Sequence, residues 1–212
     1  MFKASDTPGK VTTVNPVDMA RIEKSIREAL QNADYVIVSM HSHEMKGTDK
    51  AEPDDFFVDF CHKCIDAGAN AVIGTGPHLL RPVEIYKNCP IFYCLGNFFF
   101  HPEYVKKISA DVIEGFGFPL ELSGEEVVRR RKARATSAME TRVPVYQSML
   151  PFWTMEDGKL QAIRLLPVEL GIREPAIYGS NSYSNLLQLL EDTAASLGVE
   201  YTHLQSNYEG AL

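Results

Sequence analysis

The segment Val38-Ser39-Met40-His41-Ser42-His43-Glu44 puts two imidazoles at i and i+2 with a carboxylate beside them. Neutral imidazole is a ligand for zinc, iron, manganese or nickel, and imidazole is also the side chain suited to moving a proton near neutral pH. Two histidines so spaced in a loop can reach one cation or two adjacent ones. Glu44 could accept a hydrogen bond from one of the rings and orient it. A third imidazole, His78, follows Gly74-Thr75-Gly76-Pro77, a turn whose glycines let a ligand come close to the backbone. Asn97, in Leu95-Gly96-Asn97, offers an amide oxygen to a cation or an amide hydrogen to a substrate oxygen. Against each residue taken singly stands an ordinary role: a surface histidine, a satisfied core histidine, an asparagine that makes a turn. The three together are the candidate site.

Each of these residues stands at or just past an apolar run. Tyr35 to Met40 is continuous and rich in β-branched residues, and residues 70–74 repeat that character. Such runs predict strands covered on both faces, as in parallel sheets. Asn15-Pro16 opens a helix over 16–31, with Met19, Ile22, Ile26, Ala29 and Leu30 on one face. Pro53 opens a second helix, with Phe57, Phe60, Cys61 and Cys64 on one face and Gly68 as its stop. Strand, loop, helix, strand is the βαβ signature, and ligands gather beyond the carboxyl ends of such strands.

Further along, residues 83–86 and 91–95 flank Lys87-Asn88-Cys89-Pro90 and predict a hairpin. Residues 147–155 and 160–168 predict another around Asp157-Gly158. A late helix is expected from Leu186 to Leu197, ended by Gly198. The chain reads as one domain over 1–212, with an irregular lead-in at 1–15 and an irregular insertion at 101–145. Within that insertion GEEVVRRRKARA reads as helical, and its arginines Arg129 to Arg131 make either a phosphate contact or, more simply, a solvated basic face.

With 212 residues, 45% hydrophobic and 23% charged, the chain can bury a real core. A net charge of −7 argues against nucleic acid as a partner. No apolar run approaches the roughly 18 residues needed to span a bilayer, and the start of the chain has no signal-peptide core. As given, the chain therefore reads as soluble and cytoplasmic. Cys61, Cys64, Cys89 and Cys94 fit buried reduced thiols better than a disulfide framework. Cys61-His62-Lys63-Cys64 lacks the second pair that a structural zinc needs, so helix packing accounts for it.

The segments ADYVIVSMHSHE and CIDAGANAVIGTGPHLLRPVEIYKNCPIFYCLGNFFF, in this order, resemble the bacterial capsule-synthesis (CapA, poly-γ-glutamate synthesis) family. The resemblance is dense over residues 33–100 and continues weakly through GKLQAIRLLPVELG at 158–171. That family is similar to the calcineurin-like metallophosphoesterases. The resemblance therefore implies an α/β metallophosphatase-like layered sandwich, β-sheets flanked by helices, with one or two divalent ions (Mn, Fe, Zn or Ni) in the loops at one end. It implies His41, His43, His78 and Asn97 as metal ligands, with His43 and Asn97 also serving catalysis. It makes Glu44, Arg81 and Glu84, the last in the VEIY segment, candidate substrate contacts. The ligand it implies is a phosphoester or a capsular or poly-γ-glutamate polymer. The alternative is a non-catalytic polymer-handling or assembly subunit. Family members can be associated with the cell surface.

Two departures qualify what the resemblance implies. Thr75 and Gly76 stand where relatives carry at least one further histidine. Nothing before residue 33 resembles the family's Gly-Asp strand end or its Asn-His segment, so the chain reads as the C-terminal half of the sandwich. Three expectations follow: a weakly held cation, a chain inactive by itself, and an inner sheet face (Val36, Val38, Val72, Phe92) short of cover. The last would drive pairing with another copy or with the missing half.

Overall fold

The computed structural model describes residues 6, 9–98, 107–141, 145, 147–170 and 175–177. Helix α1 (Pro16–Ala29) begins as its sequence requires: Asn15 is extended and its side chain accepts from Val17 N at 3.0 Å, with Pro16 in the first turn. Strand β1 (Ile37–His41), helix α2 (Asp55–Asp66) and strand β2 (Ala71–Thr75) form the expected βαβ unit, β1 and β2 pairing in parallel with His41 opposite Thr75. Helix α2 starts two residues later than its proline suggested. Asp54, extended at ψ 149, is the N-cap, while Pro53 is held in a bridge to Met45. The helix ends as expected, with Gly68 at φ +109.

Strands β3 (Val83–Tyr86) and β4 (Cys89–Phe92) form a tight hairpin on Lys87 and Asn88, both at positive φ, the two-residue turn that matches strand twist. The sheet order is β1-β2-β4-β3, with β3 antiparallel to the rest. Helices α3 (Ala110–Gly115) and α4 (Gly124–Thr141) occupy the segment expected to be irregular apart from one helical stretch. Strands β5 (Gln147–Glu156) and β6 (Lys159–Leu170) turn on Asp157-Gly158, again both at positive φ, and β7 (Pro175–Ile177) adds a third antiparallel strand. The late helix expected at 186–197 lies outside the described residues.

Helices α1 and α2 cover one face of the first sheet. Met19 and Ile26 pack with Phe57, Phe60, Cys61 and Cys64 against Val72, Ile91 and Tyr93. The β5–β6 hairpin covers part of the other face, where Phe92 meets Trp153 at 5.4 Å between ring centroids and packs with Met149 and Leu165. Val72 and Phe92 are fully buried, so the expectation that they lack cover fails for the centre of the sheet. Val36 is buried as well and packs with Val38 and Val72 against the helices, while Phe92 faces the hairpin, so the four do not share one face. What is open is the other face of β1, where Ile37 is 52% exposed. The reason is position, since β1 is the outermost strand and the cluster beneath the hairpin reaches Ile73 of β2 but does not include Ile37. Among the described residues no helix is long and apolar enough to cross a membrane.

Candidate functional site

His41 is the last residue of β1, His43 lies two residues on, and His78 follows β2 by three residues. Parallel pairing of β1 and β2 in register brings both strand ends to one edge of the sheet, and β4, the next strand, sends Asn97 to the same edge. The three imidazoles form a chain there: His41 and His43 have ring centroids 5.0 Å apart, His43 and His78 5.8 Å. All three are exposed, while Asn97 behind them is buried.

A hydrogen bond sets the tautomer of His78. The Asn97 amide is oriented by its Nδ2, which donates to Val145 O at 2.9 Å, so its Oδ1 faces His78 Nδ1 at 2.7 Å. An amide oxygen only accepts, so neutral His78 carries its hydrogen on Nδ1 and keeps its lone pair on Nε2. Thr75 Oγ1 lies 3.1 Å from His41 Nδ1 and 3.4 Å from Met40 O. Where the hydroxyl donates to the carbonyl it accepts from Nδ1–H and leaves the lone pair of His41 on Nε2; where it donates to Nδ1, the hydrogen of His41 sits on Nε2. His41 Nε2 then faces His43 Nε2 at 3.1 Å. Anchoring of Nδ1 by an oxygen, with Nε2 turned outward, is the arrangement that metal-ligating histidines use.

The spacing suits a shared cation. Two nitrogens ~2.1 Å from one ion stand roughly 3.0 Å apart at a right angle and roughly 3.4 Å apart at the tetrahedral angle. Yet among the described residues no group of three or more His, Cys, Asp or Glu is placed to hold a metal ion. His41 and His43 thus meet at ligand spacing as a pair, and His78, beside His43, does not close a three-ligand group with them among the described residues.

The turn that presents His78 is tightly built. Gly76 has φ +124, and a Cβ there would lie 2.7 Å from Ser42 O, so this turn packs backbone to backbone against the His41–His43 loop. A histidine at position 76 cannot occupy this conformation, and Thr75, read in the sequence only as a gap in the ligand pattern, supports His41 instead. His78 itself is left-handed at φ 60, a conformation that costs an L-residue about 1–2 kcal/mol and is held here by the surrounding contacts.

The remaining candidates lie elsewhere. Glu44 forms an ion pair with Lys10 and does not orient an imidazole. Lys10 also meets Asp54 at 2.8 Å; burial raises the carboxyl pKa of Asp54, but bonds from Lys10 and Thr12 outweigh it and hold it below the usual range. Glu84 is buried in β3, where its carboxylate accepts from His62 Nε2 at 2.8 Å and from Tyr93 Oη at 2.6 Å. Burial alone would raise its pKa; the two donors more than offset this and hold it below the ordinary value. Arg81 is 1% exposed and spends its guanidinium on main-chain carbonyls. Neither Glu84 nor Arg81 faces solvent, where a substrate contact would have to be. The His62–Glu84–Tyr93 group had no signal in the sequence, because it needs α2 and β3 to be neighbours across 22 positions.

Comparison with known proteins supplies the family. The model of the bacterial capsule synthesis protein PGA_cap matches residues 2–102. Over these residues the chain is similar to the bacterial capsule synthesis family. An uncharacterized protein of Sinorhizobium fredii, y4sH, is 33% identical over 177 residues, covering 80% of this chain and 38% of that protein. The PGA biosynthesis protein CapA of Bacillus subtilis is 30% identical over 167 residues, covering 73% of this chain and 41% of that protein. The chain thus spans about two fifths of the length of these relatives. Residues 167–212 match a second model, dehydroquinase class II. A catabolic 3-dehydroquinase of Pyricularia oryzae is 54% identical over 43 residues, 20% of this chain and 27% of that protein. Strand β6 runs across the start of that second match.

Proposed function

We propose that this chain carries the histidine side of a metal-dependent, phosphoesterase-like hydrolase site in a CapA-like protein of capsule or poly-γ-glutamate synthesis. The observation that carries the reading is the pair of facing nitrogens, His41 Nε2 and His43 Nε2 at 3.1 Å, with His78 beside them and the Nδ1 atoms of His41 and His78 anchored by Thr75 and Asn97. His41, His43 and His78 would hold a divalent cation (Mn, Fe, Zn or Ni), which supplies Lewis acidity toward a phosphoryl oxygen and lowers the pKa of water. Asn97 serves as the amide that fixes His78, in place of the direct ligand role expected from the sequence. With its Nδ1–H directed at Asn97, His78 keeps one tautomer. His43 is either the third nitrogen on the ion or, where the ion rests on His41 and His78, the residue able to give a proton to a leaving oxygen. The layered metallophosphatase-like sandwich belongs to the same reading, with the mixed sheet, its two helices and the β5–β6 hairpin as its support.

The second reading, a polymer-handling or assembly subunit without chemistry, draws on the absence, among the described residues, of any group of three His, Cys, Asp or Glu placed to hold a metal ion. Titration with Zn²⁺ and Mn²⁺, followed by hydrolysis of bis(p-nitrophenyl) phosphate, separates the two. The hydrolase reading expects metal uptake that H41A and H78A each abolish, and H43A too where His43 is a ligand, with turnover only where the remaining ligands are supplied. Uptake unaffected by all three substitutions would overturn it.

A further inference from the structure

We infer that Arg81 is a positioning residue of the histidine cluster, the joint that fixes the segments carrying His43, His78 and Asn97 to one another. Arg81 follows His78 by three residues. Its main-chain N–H donates to Cys94 O at 3.0 Å, tying the turn after His78 to the end of β4 that leads into Asn97. Its side chain crosses to the loop after His43. There Nε donates to Lys50 O at 2.9 Å and Nη2 to Glu44 O at 2.8 Å, so one guanidinium spans the two ends of that loop. Within the loop the other backbone ties are sparse: Lys46 N to Glu52 O at 3.2 Å, Glu52 N to Asp49 O at 3.3 Å, and the Met45–Pro53 bridge.

The energetics argue that this geometry is the purpose of the residue. Arg81 is buried, its Nη1 has no hydrogen-bond partner, and among the described residues no carboxylate comes within ion-pair distance of it. Its direct partners are two neutral carbonyls; Asp54 and Asp49 favour its charge only from beyond ion-pair distance and burial outweighs them, so an apolar side chain of like volume would fill the space at lower cost. What only arginine supplies is a planar fork that sends donors to two carbonyls at once. A lysine would reach one of them as a point charge. Removing the fork frees the residue next to His43, and the 3.1 Å approach of His43 to His41 depends on where that residue sits.

The metal arm of the test rests on the hydrolase reading; the other arms do not. R81M and R81K would be compared with the wild-type chain by long-range ¹H–¹⁵N spectra of the histidine rings, by amide hydrogen exchange, and by Zn²⁺ titration. In R81M the exchange of amides 43–52 rises at least tenfold relative to those of β2, the ring signals of His43 and His41 change tautomer pattern, and zinc affinity falls about tenfold or more. R81K, which can still reach one carbonyl, lies between. If the wild type takes up no metal, the hydrolase reading fails while the ring spectra and exchange still decide the role of Arg81. Ring spectra identical to wild type in R81M would overturn the inference, as would protection lost equally across α2, β2 and the loop.

Discussion

The imidazole Nδ1 of His78 lies 2.7 Å from the amide oxygen of Asn97, 19 positions away in sequence. The contact joins the turn after β2 to the segment after β4, and it is made possible because those strands are parallel neighbours. A histidine held by one nitrogen presents the other at a fixed angle, and loss of such an anchor typically lowers metal affinity 10–100-fold. N97A should therefore weaken Zn²⁺ binding by about that factor. N97D should retain part of it, since a carboxylate still accepts from Nδ1–H but faces Val145 O without a donor. Isothermal titration of both variants checks this, and unchanged affinity in N97A would remove Asn97 from the site.

Gly76 is the second point at which the site depends on backbone alone. With φ +124 and Ser42 O 2.7 Å from any Cβ, G76A must shift either the turn or the histidine loop. The expected cost is about 1–3 kcal/mol, read as a lower urea midpoint. Gly158 is the control: its φ of +73 is also unfavourable for other residues, but nothing lies within 4 Å of a Cβ there. G158A should cost only the left-handed penalty itself, about 1–2 kcal/mol. Equal losses in the two variants would mean that the close approach at Ser42 has no energetic weight.

Where the sequence was most legible, local chemistry and tertiary position agreed. Lys87-Asn88-Cys89-Pro90 and Asp157-Gly158 mark turns in the sequence, and both hairpins formed there, the first turning on Lys87-Asn88 alone with Cys89 and Pro90 taken into β4. The convergence of His41, His78 and Asn97 followed from strand ends and needed only β1, β2 and β4 to be parallel neighbours. The family resemblance over 33–100 falls within the matched residues 2–102, and the alignment with CapA of Bacillus subtilis, covering 73% of the chain, carries the likeness past residue 102; the second match begins only at 167. Illegible were features fixed by packing between distant segments. Arg81 and Glu84, expected as substrate contacts, are instead fixed by packing: Arg81 donates to carbonyls of the loop after His43, and Glu84 meets His62 of α2. Helix α3 lies in a stretch whose pattern is weak, and it has no buried residue.

The cysteines carry a simple prediction. All four are buried free thiols. Burial raises the pKa of Cys64 to about 12 and pushes Cys61 higher still, so neither supplies thiolate near neutral pH. Native protein should react slowly with iodoacetamide at every position. Unreduced, denatured protein should show four modified thiols by mass spectrometry, and fewer than four would reveal a disulfide.

The outer edge of β1 is unpaired among the described residues, and Ile37 on it is half-exposed beside a cleft of about 230 Å³ lined by Tyr35, Asn70, Trp153 and Met155. An apolar open edge invites pairing, and lysine is the residue that proteins use to prevent it. I37K should lower self-association in sedimentation velocity while leaving the circular dichroism spectrum unchanged. A wild-type chain that is monomeric at high concentration would show that the edge is harmless.

The buried Glu84 gives the molecule an acid-sensitive element. Its folded pKa lies below the ordinary glutamate value of 4.5, because hydrogen bonds from His62 and Tyr93 outweigh a burial penalty that acts in the opposite direction. A carboxyl with a depressed folded pKa contributes stability that is complete above its unfolded pKa. As pH falls below 4.5, the unfolded chain takes up a proton that the folded chain refuses, and the contribution is lost until the folded pKa is passed. The urea midpoint of the wild type should therefore fall between pH 5 and 3, with part of the slope due to this group. E84Q removes that part, so its midpoint should fall less steeply over the same range. Y93F leaves the carboxylate buried with one donor fewer. It should cost about 1–3 kcal/mol at neutral pH, and it should flatten or reverse the Glu84 share of the slope, because the burial penalty then faces only His62. An acid slope identical in E84Q and wild type would show that Glu84 titrates alike in the folded and unfolded chains, and that the bonds from His62 and Tyr93 only cancel the cost of burying it.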